Sequence, residues 1–228
     1  HGGNHQFKSW LGQFRRMQPQ RALRLHRTGS ITECLQQSTT AFAGGLIGNL
    51  RYGSIKNCYV NADVTSRTSG NAGVGGICGY QYDGKNLKEE TSDVNTLIAY
   101  SYFTGTVDAP NCRVGGILGK SENRWGNWMY KNISEAKFLR GINGLTGLIC
   151  GVMYPACVTS GRTYDNYASR SCQLYWGNTL HTPTIDAYYN EGDTHHGMVL
   201  DDNACITAKK LGWDESVWDL SGISPRLK

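Results

Sequence analysis

One glycine phrase recurs along the chain and restricts its fold more than any other feature. Its copies are Gly44-Gly45-Leu46-Ile47-Gly48, Gly75-Gly76-Ile77-Cys78-Gly79, Gly115-Gly116-Ile117-Leu118-Gly119 and the looser Thr146-Gly147-Leu148-Ile149-Cys150-Gly151. Their first residues, 44, 75, 115 and 146, are separated by 31, 40 and 31 positions. A unit this short cannot bury its own apolar face, so successive copies must stack and share one continuous core. Glycines flanking a Leu-Ile pair suit a short buried strand between tight bends, where a Cβ would clash.

A second phrase runs between the glycine copies. It is fullest in Gly53-Ser54-Ile55-Lys56-Asn57-Cys58-Tyr59-Val60-Asn61-Ala62-Asp63-Val64. Ile98-Ala99-Tyr100-Ser101-Tyr102-Phe103-Thr104-Gly105-Thr106-Val107 repeats it without a gap, and Gly29-Ser30-Ile31-Thr32-Glu33-Cys34-Leu35 precedes it by 24 residues. Weaker echoes are Tyr164-Asp165-Asn166-Tyr167-Ala168 and Ile185-Asp186-Ala187-Tyr188-Tyr189. Cys58, Val60, Ala62 and Val64 alternate with Tyr59, Asn61 and Asp63, the period of a half-buried strand. Of the 29 glycines, 13 lie in the glycine phrases and the two Gly-Ser-Ile starts, and proline is only 5, so the glycine excess is structural repetition rather than disorder. The expected fold is all-β: a right-handed parallel β-solenoid over residues 1–199. Residues 79–95 and 119–128 are expected to be loops inserted on its faces.

The combination Gly-Gly-Leu-Ile-Gly-Asn, then Gly-Ser-Ile-Lys-Asn-Cys-Tyr-Val-Asn-Ala-Asp-Val, then Gly-Val-Gly-Gly-Ile-Cys-Gly resembles the GLUG-type repeat. The resemblance covers roughly residues 29–190 and weakens after residue 120, where Asn-Cys-Tyr decays. It implies a secreted or surface protein of a bacterium, adhesin-like, or a non-catalytic part of an immunoglobulin-A-cleaving metallopeptidase. His1-Gly2-Gly3-Asn4-His5 resembles the turn that opens the first coil of such solenoids, which implies flanking domains in a longer polypeptide.

The end of the chain differs in kind. Thr207 to Trp213 reads as a short helical turn with Thr207 as N-cap and Gly212 as stop. Trp213, Val217, Trp218, Leu220 and Ile223 follow, so residues 200–228 are expected to cap the last coil, where open strand edges need cover. The Trp pair serves that packing or forms a sugar platform.

Charge narrows the partners. The net +5 comes from residues 1–28, where Lys8, Arg15, Arg16, Arg21, Arg24 and Arg27 supply +6 without an acid. The other 200 residues hold 17 basic and 18 acidic side chains, a balance of −1, which removes nucleic acid from the expected partners. No apolar run approaches the ~18 residues of a membrane span.

Chemistry is sparse. Eight cysteines invite disulfides in a secreted chain. Cys34 and Cys58 fall on one repeat position, where they form either a bridge or a ladder of buried thiols. Cys78 and Cys150 also share a position, with Leu118 between them. A short bridge from Cys150 to Cys157 is a further possibility. No His-Glu-x-x-His, Gly-x-Ser-x-Gly or phosphate-binding loop occurs, so no catalytic residue, cofactor or metal is assigned. Asp193, His195, His196, Asp201 and Asp202 are the one dense set of possible ligands, and they read equally as a polar loop. Thr106 stands at the position of Asp63, so no acidic ladder of the polysaccharide-degrading kind forms. Asn132-Ile133-Ser134 fits a glycosylation sequon, which carries no weight in a bacterial protein.

An aromatic row does align. The position after the cysteine holds Leu35, Tyr59, Tyr102, Tyr167 and Tyr189. By strand parity the row faces outward and suits sugar rings or a protein. If a corner shifts the parity, the tyrosines instead pack inside or against a loop. The expected function is a non-catalytic extracellular or cell-surface adhesin-like module, binding a glycan or a host or matrix protein along the solenoid face through Tyr59, Tyr102, Tyr167 and Tyr189. The alternatives are an accessory module of a larger secreted enzyme and a solenoid polysaccharide-degrading enzyme.

Overall fold

The computed structural model describes residues 23–32, 42–51, 53–68, 70, 72–82, 96–121, 127–154, 161–183, 190–191 and 194–228. Apart from one short helix, Ala204–Lys210, the described chain is strand and turn, and its strands stack mainly in parallel. The glycine phrases form a 4-stranded sheet of Ala43–Gly44, Gly73–Gly75, Arg113–Gly115 and Thr146–Gly147, one strand per coil. Each coil continues through a second flank (Ile47–Arg51, Cys78–Tyr82, Leu118–Ser121 and Cys150–Val152). A third flank holds the start of Gly53–Thr65, then Thr96–Ala99, Asn127–Tyr130 and Thr163–Tyr164. After a corner comes the long flank: the rest of Gly53–Thr65, then Tyr102–Asp108, Ile133–Gly141, and Tyr167–Ala168 with Gln173–Trp176. The solenoid architecture read from the repeats is therefore present over four coils.

Glycine is required where the coils meet most closely. A Cβ on Gly75 would lie 2.1 Å from the Cys78 carbonyl oxygen, and one on Gly76 would lie 2.1 Å from the Gly116 oxygen and against the Phe103 ring. Gly115 pairs with Gly147, not with Thr146, so the last step of the repeat is one residue longer than the phrase alone suggests. Inside, like residues stack: Ile55, Ile98 and Met129 on the third flank, and Val64, Val107, Leu139 and Leu174 on the long one. All are at most 2% exposed and belong to one core.

The corner is built by a polar ladder. Asn57, Tyr100, Lys131 and Asp165 all have φ between 51° and 55°, a left-handed conformation that interrupts the strand ladder. The next residues, Cys58, Ser101, Asn132 and Asn166, point inward and are buried. The Cys58 N–H donates to Ser101 Oγ (3.3 Å), the Ser101 N–H to Asn132 Oδ1 (3.1 Å) and the Asn132 N–H to Asn166 Oδ1 (3.2 Å). In turn Ser101 Oγ donates to the Ala99 carbonyl and Asn132 Nδ2 to the Ile98 carbonyl. Buried backbone groups left over by the bend are thus paired. Asn132 is fully buried in this ladder, which takes the sequon out of reach of modification.

Three expectations are corrected. Strand Leu23–Thr32 sets Leu25, not Cys34, against Cys58, and Gly29 against Ala62, so the two Gly-Ser-Ile starts do not stack. Residues 119–121 and 127–128 are strand rather than inserted loop. Asn203, whose side chain accepts from the Ile206 N–H at 3.0 Å, caps the helix in place of Thr207, and Gly212 follows it at φ 73°. Cys34, Cys157, most of 79–95 and most of the basic N-terminal stretch lie outside the described residues.

Residues 200–228 start on the last coil, where the Leu200 N–H donates to the Ala168 carbonyl (2.9 Å), and then run along the side of the stack. Ala204, Cys205, Leu211, Trp213, Val217, Trp218 and Leu220 bury themselves against Tyr102 and Ile133, with Tyr59, Tyr100 and Tyr167 packed alongside. Trp218 Nε1 donates to Asn57 Oδ1 (3.2 Å) and Trp213 Nε1 to the Lys131 carbonyl (3.1 Å). The segment is a strap laid along the axis of the coils, because the outward positions after the corner are apolar and need cover. At the far coil reversals accompany one more parallel strand: Met198–Val199 stacks parallel on Tyr167–Ala168, while Thr179–His181 pairs antiparallel with Gln173–Trp176, and Thr194–His195 with Cys150–Val152.

Candidate functional site

The aromatic row read from the sequence forms, but with other members and under cover. Tyr59, Tyr102, Ile133, Tyr167 and Met198 share the register position, preceded by His26. Met198 takes the place assigned to Tyr189, and Tyr189 and Leu35 lie outside the described residues. Tyr59 and Tyr102 stack at 5.3 Å, yet Tyr102 is 1% exposed beneath the strap and Tyr59 and Tyr167 are half-buried. The Tyr102 hydroxyl donates to Glu135, and burial followed by that bond pushes its pKa up. Strand parity is as expected; the strap decides that this row is not an open stripe.

A different aromatic cluster lies on the third flank, its rings partly exposed to the same degree as Tyr59 and Tyr167. Tyr130 and Tyr164 stack with centroids 4.8 Å apart and planes 7° apart. Tyr100, held at the left-handed corner, meets Tyr130 edge-on at 5.7 Å, and Trp128 does so at 6.5 Å. The Arg162 guanidinium lies over Trp128 at 5.5 Å and the Lys131 ammonium over Tyr100 at 5.7 Å. All six side chains are partly exposed. Behind them Gln81 Nε2 donates to the Thr96 and Trp128 carbonyls, and Asn127 Nδ2 donates to Ser121 Oγ, so a buried polar layer backs the cluster. Burial, then mutual repulsion with neighbouring tyrosines, raises the pKa of Tyr130. Burial also raises Tyr164, so both phenols remain hydrogen-bond donors at neutral pH.

A second cluster lies on the adjoining flank. Phe42 and Tyr80 stack at 4.2 Å, Tyr80 and Tyr82 at 6.1 Å, with Arg51 over Tyr82 (4.9 Å) and Lys120 over Tyr80 (5.5 Å). Neither cluster follows from the repeat phrases: Tyr130-Lys131-Asn132 matches Tyr164-Asp165-Asn166 but carries Ile133 where that copy has a tyrosine.

The possible metal ligands are not brought together. His195 and His196 are buried, Asp201 is 3.8 Å from Arg170, Asp202 pairs with Lys210, and Asp193 lies outside the described residues. Among the described residues no group of three or more His, Cys, Asp or Glu could hold a metal. Asp63 does stand opposite Thr106, whose Oγ1 donates to it at 2.8 Å. Cys78, Cys172 and Cys205 are free thiols. Leu118 separates Cys78 from Cys150 as the spacing indicated. Among the described residues no helix is long and apolar enough to cross a membrane.

The path from Ala43 through the left-handed Asn57 to Thr65 matches a known family. Residues 43–65 are a GLUG motif. The motif covers a glycine strand, the second flank, the corner and the long strand, that is, one turn of the coil. No curated protein matches the chain. Among solved structures, a candidate immunoglobulin A1 protease from Bacteroides ovatus is similar in fold, with a TM-score of 0.57 at 22% identity. The match takes in 89% of this chain and 56% of that one, so the chain spans little more than half of that structure's length.

Proposed function

We propose that the chain is a non-catalytic, secreted or cell-surface bacterial module that binds a glycan through the aromatic face of its third flank, in a right-handed coil, the usual hand for parallel crossovers. The observation that carries this is the rigid, partly exposed set Trp128, Tyr130, Tyr164 and Tyr100, backed by a buried polar layer. Flat rings with polar edges offer apolar contact and hydroxyl donors at little entropic cost. The GLUG motif supports an extracellular setting. Binding moves from the row of Tyr59, Tyr102 and Tyr167 to this face because Tyr102, in the middle of the former, is buried under the strap. A glycan array probed with the wild type and with Trp128→Ala and Tyr130→Ala tests it. Retained glycans that both variants lose are the expected result; an empty array, or signals that neither variant changes, overturns it.

The second reading is an accessory module of a larger secreted enzyme. It is favoured by the similar structure being about twice as long as the matched part. The full-length reading frame decides it: a neighbouring catalytic domain supports this reading, and a surface anchor supports the adhesin-like one.

A further inference from the structure

We infer that the last coil is closed by an acid-sensitive end stop, in which the His196 imidazole receives a backbone N–H that earlier coils give to the next turn. The glycine flank passes donors from coil to coil. The Gly45 N–H donates to the Gly76 carbonyl (3.1 Å) and the Gly76 N–H to the Gly115 carbonyl (3.1 Å). One residue on, the Leu46, Ile77 and Ile117 N–H groups donate to the carbonyls of Ile77, Ile117 and Ile149 at 2.9–3.1 Å. Gly147 is in register with Gly115, so Leu148 and Ile149 hold the same two positions in the fourth coil. Among the described residues the glycine sheet ends there. The Ile149 N–H meets the His195 carbonyl (3.2 Å) instead, and the Leu148 N–H meets His196 Nδ1 (3.3 Å). On the same strand the Thr146 carbonyl accepts from Trp176 Nε1 (2.9 Å). The Trp176 ring stacks on His181 at 3.6 Å, and His181 lies 6.1 Å from His196. Two side chains thus pair edge groups that a further coil would otherwise take.

This closure fits one protonation state. His196 is 0% exposed. A ring nitrogen that accepts an N–H carries no proton of its own, so the neutral imidazole holds its hydrogen on Nε2. A second proton goes to Nδ1 and sets donor against donor. The Leu148 N–H then loses its acceptor and a charge is buried, and opening relieves both by admitting water. Several titratable groups flank His196. His195 is beside it, Cys150 lies opposite His195, and His181 comes from the hairpin. Glu191 pairs with Thr194 on the returning strand. Asp165 and Tyr167 flank Asn166, whose carbonyl accepts from the Met198 N–H (2.8 Å). A neighbouring carboxylate moves the pH at which His196 takes up a proton, not what that proton displaces.

The test is amide exchange read by NMR on the full chain, from about pH 7.5 to about pH 5, with rates corrected for intrinsic exchange. In the wild type the Leu148 amide should exchange at least about tenfold faster at the acid end, following the titration of the His196 ring. The Trp176 indole N–H should loosen with it, while Gly76 and Ile77, which make the same bonds inside the stack, keep their protection. His196→Gln offers an oxygen that accepts and does not titrate, so its Leu148 amide should stay protected throughout. A wild-type Leu148 amide indifferent to acid overturns the proposal, as does a loss shared equally by Gly76 and Ile77. An acid response that His196→Gln retains and His195→Phe abolishes overturns it in favour of the neighbouring histidine. Where His196→Gln does not fold, the wild-type comparison of Leu148 with Gly76 decides.

Discussion

Gly75 shows how much one missing side chain matters. An added Cβ would meet backbone atoms of both its own coil and the next one, and backbone cannot move aside as a side chain can. Gly75→Ala is therefore expected to cost about 1–3 kcal/mol or more. Gly222→Ala, where an added Cβ would meet nothing within 4 Å, should be close to neutral, and denaturant unfolding compares the two directly. His195 offers a second test at this scale. It is buried in the strand that turns back on the last coil, its Nδ1 has no partner, and burial followed by His196 lowers its pKa from 6.5 to about 4. Neutral imidazole is thus the folded form. The stability it protects is present above pH 6.5 and is lost as the pH falls from 6.5 toward 4, up to about 3 kcal/mol. A His195→Phe chain, measured by thermal unfolding across that range, should lose this part of the pH dependence. The same behaviour in both proteins would rule the histidine out. Burial also raises the Cys78 thiol to about 12, and it is 0% exposed, so it should react with a thiol reagent only after denaturation.

At the scale of elements, the strap is the part whose place could not be read from the chain. Its apolar pattern, Trp213, Val217, Trp218 and Leu220, was legible, as was the glycine that ends its helix. What it covers was not, because any apolar surface satisfies the same pattern. The uncovered surface closest to the end of a solenoid is its last coil, and the strap instead crosses from Asn57 to Tyr167. Trp218 is 0% exposed, so Trp218→Ala should cost about 3–5 kcal/mol and expose the tyrosine row. A lowered unfolding midpoint together with new binding of an apolar dye is expected. A dye signal like that of the wild type would mean that the row is covered by something other than the strap. The polar corner ladder was half legible: the repeated position was plain, but Cys, Ser and Asn share it for a reason visible only once the bend leaves backbone groups to be paired.

For the molecule as a whole, four coils share one core and are tied along one side by a single segment. Such a stack is close to one-dimensional, and its coils would otherwise unfold with some independence. The strap links the first coil to the fourth, so the intact protein should unfold in one transition by circular dichroism, with a β-type far-UV spectrum. Trp218→Ala should broaden that transition; a mainly helical spectrum would contradict the fold itself.

The repeated glycines, the alternation from Cys58 to Val64 and the shared position of Cys78, Leu118 and Cys150 determined a stacked parallel β architecture by themselves. Each of these expresses a constraint between residues at fixed offsets, which the order of the chain records. Which outward ring is buried was decided by tertiary structure alone. Tyr102 and Tyr130 both point out of their strands, and only the path of residues 200–228 buries the first and leaves the second partly exposed. Exposure depends on what distant chain comes to rest on a surface, and no local pattern encodes that.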